Sequence, residues 1–123
     1  MKILKNSFYF LNIILITFYL YPGSILGYLM YDDLYVHPHL TRDFVVSSNH
    51  VYVFFIFSTL GFLSFSKKKR NITYYLLILS LVLELLHLII PKRGFEFEDL
   101  LGNILGVLLS LILFKLFIFR RLK

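Results

Sequence analysis

No cysteine occurs in the 123 residues, so disulfides and thiolate metal sites are excluded. Charge is scarce as well: 16% of the residues are charged, against roughly 25% in ordinary soluble domains. Acidic residues are the scarcer sign, 7 against 13 Lys and Arg. There is no G-x-S-x-G, no H-E-x-x-H and no phosphate-cradling glycine loop. What is present is apolar. With 59% hydrophobic residues, a chain of this length cannot hide its surface in a soluble core, because small domains bury only about 60–70% of their extended surface. The surplus is expected to face lipid, in a single domain over residues 1–123. The net charge of +6 does not point to nucleic acid, since the cations stand at the borders of apolar runs, where topology and lipid headgroups account for them.

No charged residue falls between Lys5 and Asp32, a run longer than the roughly 20 positions that cross a bilayer. Lys2 and Lys5 ahead of it resemble a signal peptide. The run exceeds a signal core of roughly 7–15 residues and no A-x-A-like site follows, so a retained signal anchor is expected. Tyr21-Pro22-Gly23 should kink or end its helix. Further apolar runs begin at Phe44 or Ser48, at Ile72 and at Glu98. The expectation is an all-α integral membrane protein with four transmembrane helices, at about residues 7–29, 47–65, 72–90 and 98–119. The runs lack the alternation of barrel strands. Lys2 and Lys5, the run Lys67-Lys68-Lys69-Arg70, and Lys115, Arg120, Arg121 and Lys123 fall on one side of a four-span chain. Both termini are therefore expected in the cytoplasm, with the protein in the plasma (inner) membrane and the Pro91–Asp99 turn outside.

The segment Glu84–Gly106 holds four of the seven acidic residues and is expected to form a membrane-embedded hairpin. Glu84 and His87 are three apart and share a face, with Ser80 one turn below. Asp99, Asn103, Gly106 and Ser110 form a stripe on the next helix, with Gly102 beside it. Pro91 is placed to end the third helix, and Gly94 to give the turn its unusual backbone freedom. Asp99 suits the positive end of the fourth helix's dipole. Glu84 lies about 10 Å along the helix from Pro91, where a lipid-facing charge costs about 2.5–3.5 kcal/mol. It is thus either protonated or turned toward Arg93, His87 or Asn103. Arg93, with its planar fork, is the expected partner of Glu84 or Asp99.

The pattern Glu84, Pro91, Arg93, Phe95, Asp99, Asn103, Gly106 resembles the VanZ-like family over roughly the last 40 residues. The first half matches in outline, with His50 near the start of the second span. Val46 and Ser47 stand where the family tends to have Asp-Lys, His87 where it often has Gln, and Ser110 where it often has Gly. The resemblance implies a small multi-span bacterial membrane protein of a family associated with resistance to teicoplanin, a lipid-anchored glycopeptide.

Two classes of function stay open. The preferred one is a non-enzymatic envelope protein in which Glu84, His87, Arg93, Asp99, Asn103 and His50 hold a lipid headgroup or lipid-anchored drug, or bind a membrane-protein partner. The bland reading of the same residues is helix–helix glue, with the small residues permitting close approach. The alternative is an intramembrane enzyme acting on a lipid or lipid-linked sugar, with Glu84, Asp99 and His50 as proton carriers and Arg93 as anion clamp. A channel or transporter is weaker, since four short spans lack the repeated broken helices of such folds. No metal, cofactor or nucleic acid is expected. His37-Pro38-His39 with Asp32 and Asp33 lacks defined ligand spacing and reads as a solvated loop.

Overall fold

Pro22 decides where the first helix ends. A residue before proline is pushed to extended backbone, and Tyr21 has ψ 134°, so α1 (Lys2–Leu20) stops there. Gly23, at φ +96°, turns the chain. The Ser24 hydroxyl then accepts the Gly27 N–H at 3.0 Å and starts the short α2 (Ile25–Tyr31). The run expected as one helix over 7–29 is therefore two. The computed structural model describes residues 1–39, 41–43, 45–118 and 120–121; Phe44 and Phe119, named above as span borders, and Lys123 lie outside the described residues. Among these residues all regular structure is helical: α3 (Ser48–Ser64), a 3-10 turn (Ser66–Lys68), α4 (Lys69–Leu86), α5 (Phe97–Leu113) and a π-helical extension (Phe114–Ile118).

Two differences from expectation concern the turn after α4. The helix ends at Leu86 rather than near Ile90, closing through tight i→i+3 bonds from His87, Leu88 and Ile89 N–H. The left-handed residue of the turn is Lys92, at φ 62°, and not Gly94.

Two helices, Lys2–Leu20 and Phe97–Phe117, are each long and apolar enough to cross a membrane. A third crossing results if Ser48–Ser64 and Ser66–Leu86, bent by 100° at their junction, form one span. At 17 residues, α3 rises only about 26 Å, short of the ~30 Å hydrocarbon core. In α4, Lys69, Arg70 and Glu84 dilute the apolar run.

The core is built from Phe8, Leu15 and Tyr19 of α1, Phe54, Phe57 and Phe62 of α3, Leu76 and Leu83 of α4, and Val107 of α5. Phe8 stacks on Phe57 at 4.8 Å. The stripe of α5 faces α3: the Ser110 and Thr59 hydroxyls are 2.8 Å apart, and Gly102 and Gly106 lie directly under the α3 backbone. Ile13, Ile56, Ile78 and Ile112, one from each long helix, are more than half exposed. Such a girdle suits lipid and not water.

The bundle has two unlike ends. At one, the Ser64 hydroxyl donates to Leu4 O at 2.9 Å, Lys5 lies over the Phe65 ring, and Phe62 meets Phe114. This gathers the N-terminus, the Lys67–Arg70 turn and the segment after α5. At the other end lie the close of α1, the start of α3, the close of α4 and the start of α5. There Asp43 accepts both the N–H and the hydroxyl of Ser48 at 2.9 Å; the backbone bond, more than any other influence, holds its carboxyl below the usual range.

Candidate functional site

Four helix ends converge at the acidic pole, and each brings a polar side chain inward. Glu84, His87 and Asn103 are fully buried, and Tyr19 nearly so. Buried polar groups in such a setting must find partners, since each orphan costs roughly 1–3 kcal/mol. Asn103 does most of the joining. Its Nδ2 donates to Ser80 O on α4 at 3.4 Å, which fixes its Oδ1 toward α1 and α3. That oxygen accepts the Tyr19 hydroxyl at 2.7 Å and lies 2.8 Å from His50 Nδ1. An amide oxygen cannot donate, so His50 carries a proton on Nδ1. Its Nε2 then points at Asp99 Oδ2, 3.5 Å away.

A second chain of bonds holds Glu84. His87 Nε2 donates to Tyr19 O at 2.8 Å, and its ring stacks on that of Tyr19. The other nitrogen, Nδ1, sits 3.2 Å from Glu84 Oε1. Glu84 Oε1 also accepts the Glu96 N–H at 3.3 Å, whereas its Oε2 is buried and has no hydrogen-bond partner. Beside Asp99, the Ser47 N–H donates to Glu98 O at 3.1 Å, seating the α3 and α5 starts side by side.

The structure thus brings together His50, Glu84, His87, Asp99 and Asn103. Arg93 reaches the same pole but does not bond Glu84 or Asp99 as expected. Its Nη2 donates to Phe18 O at 2.9 Å and its Nε to Tyr21 O at 3.4 Å. These are carbonyls left open where Pro22 ends α1. Partial burial pulls the guanidinium below its ordinary value. Sequence reasoning missed Tyr19, the hub between His50, His87 and Asn103; its one signal is its place a turn before Pro22 at the close of the first span. It also missed Ser47. His37 and His39 stay outside the cluster; His39 pairs with Asp43 at 3.3 Å.

A cavity of about 840 Å³ opens beside this network. Its apolar wall includes Leu11, Ile14 and Phe18 of α1 with Val53 and Ile56 of α3. Its polar end is formed by His50, Asp99, Lys92, Arg93 and Glu96. The nearby Asp99 charge, with smaller effects from partial burial and Glu98, holds the Glu96 carboxyl above its usual range. Burial, followed by the Arg93 charge, pushes the His37 imidazole down.

A family model described as VanZ/LLP1 matches residues 6–119. The chain belongs to the VanZ/LLP1 family. The match runs from within α1 through the first loop and the Glu84–Gly106 segment, so this is a VanZ-like membrane protein along nearly its whole length. Among curated proteins and solved structures none matches the chain.

Proposed function

We propose that this VanZ-like protein is a four-span envelope protein of the plasma membrane, with both termini cytoplasmic, that holds an anionic amphiphile in the cavity between α1 and α3. The observation that carries the reading is the two-part cavity wall: apolar side chains from α1 and α3 suit an acyl chain, and Lys92 and Arg93 at the far end suit a phosphate. A membrane phospholipid has this chemistry. A lipid-anchored glycopeptide such as teicoplanin shares the acyl chain and brings a polar head of another kind.

Orientation is supported by the gathering of the N-terminus, the Lys67–Arg70 turn and Lys115 at one end, the side that the positive-inside bias places in the cytoplasm. A single cysteine at Ser66 should resist a membrane-impermeant maleimide in intact cells, and one at Gly94 should react. The reverse pattern would overturn the orientation.

For the ligand, protein extracted with its lipids into polymer discs should carry phosphatidylglycerol in excess over the surrounding membrane. Lys92→Ala should weaken that preference about fivefold, the ~1 kcal/mol worth of one interfacial cation. Ile14→Trp should exclude the acyl chain and abolish it. Lipid content identical to the bulk membrane in the unaltered protein would sink the proposal. The intramembrane-enzyme reading is favoured by one observation, the convergence of His50, Glu84 and Asp99; an altered lipid species in cells carrying the gene, absent with Glu84→Gln, would favour catalysis over binding.

A further inference from the structure

We infer that His50, Glu84 and Asp99 form a binding site for one first-row divalent transition ion, zinc or manganese. This goes beyond the lipid reading and does not depend on it. Each residue offers one ligand atom, and these atoms all lie within 4.8 Å of one another. A point between them is no more than about 2.8 Å from each, so a small rotamer adjustment brings all three to the ~2.0–2.2 Å of nitrogen and oxygen ligands.

The hydrogen bonds around the three groups prepare them as ligands. A metal-binding histidine needs a lone pair on one nitrogen, and its other N–H is held by an oxygen that fixes the tautomer. Here His50 Nδ1 lies 2.8 Å from both Asn103 Oδ1 and the Tyr19 hydroxyl, which leaves Nε2 for the ion, on the side of Asp99. Glu84 has one oxygen engaged by Glu96 N–H and His87. Its second oxygen is buried on a residue of zero exposure and has no partner. Leaving a buried carboxylate oxygen unbonded is costly, and a cation removes that cost. Asp99 stands in the first turn of α5 with Oδ2 3.5 Å from His50 Nε2.

The chemistry selects the ion. One imidazole and two carboxylates make a mixed nitrogen–oxygen set of charge −2, suited to zinc or manganese. Magnesium prefers an octahedron of oxygens, much of it water, and calcium prefers more oxygens. His50 and Asp99 form part of the cavity wall and Glu84 lies behind them, so the open coordination positions face the cavity. His39 and Asp43 in the first loop pair with each other, away from this group.

The test uses the full chain, stripped with EDTA and held in phosphatidylcholine discs free of anionic lipid. Titration with zinc and with manganese should saturate at one ion per chain. Bound manganese should show an imidazole nitrogen coupling in pulsed electron paramagnetic resonance. Glu84→Gln and Asp99→Asn should each weaken binding by more than the about 10–100-fold typical of losing a group that only supports a ligand, while His39→Ala leaves it unchanged. In EDTA, Glu84→Gln can keep the Glu96 N–H bond through its amide oxygen but gives up the His87 contact at the same atom, so it should melt slightly below the unaltered protein. Added zinc should then raise the melting temperature of the unaltered protein alone. No saturable binding in the unaltered protein would overturn the inference. So would unchanged affinity in both carboxylate variants, or loss of the ion in His39→Ala. Phosphatidylglycerol preference, measured in EDTA, reports on the lipid reading separately.

Discussion

Replacing Gly106 with leucine is expected to abolish accumulation of the folded protein. A single added methyl at this position would stand 2.7 Å from Val51 O, 2.9 Å from Phe54 Cβ and 2.9 Å from Phe55 N. Two of those three atoms are α3 backbone, which cannot swing aside as a side-chain tip can. Alanine alone should therefore cost about 1–3 kcal/mol, as overpacking does. Leucine adds three more carbons to the tightest seam in the bundle, against a total stability of only about 5–15 kcal/mol. Membrane level and the elution profile in mild detergent check this. Gly94→Ala is the companion variant: a methyl there meets nothing within 4 Å, and that protein should behave as the unaltered one. A Gly106→Leu protein that accumulates and elutes normally would show that α3 and α5 are not seated as described.

Asn103→Leu should be the most damaging change to the polar network, at about 2–4 kcal/mol, and the side chains are close enough in volume that little of this is cavity. The loss leaves Tyr19 OH, His50 Nδ1 and Ser80 O each one partner short, at roughly 1–3 kcal/mol per buried orphan. The cost falls below the sum because Tyr19 OH and His50 Nδ1 are 2.8 Å apart. The hydroxyl can donate to Nδ1 once the His50 proton moves to Nε2. That repair has its own signature: Nε2 becomes a donor toward Asp99 and gives up the lone pair a cation needs. Thermal melts in detergent should show the destabilisation, and ion titration of the surviving folded fraction should show weakened binding. A variant as stable as the unaltered protein would deny Asn103 its joining role.

The apolar runs, the helical class and the polar positions of Glu84–Gly106 were legible because each rests on local spacing. The stripe of Asp99, Asn103, Gly106 and Ser110 does lie along α5, a pattern fixed by helical period alone. Its partner was not legible. The hairpin reading set it against the neighbouring helix in sequence, and Asn103 does reach Ser80 O there, but Ser110 meets Thr59, 51 positions away, and no spacing rule encodes that pairing. Arg93 shows the same limit. Sequence offered it two carboxylates, and it took the Phe18 and Tyr21 carbonyls instead, because Pro22 had left a helix end unsatisfied beside it. Tyr19 is one of nine tyrosines, and only the packing of four helix ends sets it apart from those at the lipid interface.

The broken end of α1 also bears on biogenesis. Its last carbonyls are completed by Arg93, 72 and 75 residues further along the chain. In a chain made from its N-terminus at about 5–20 residues per second, roughly 4–15 s separate the two. During that interval the close of the first helix is unfinished, its carbonyls open to water or headgroups. The segment written first is thus among the last to be sealed, and the turn between α4 and α5 closes it.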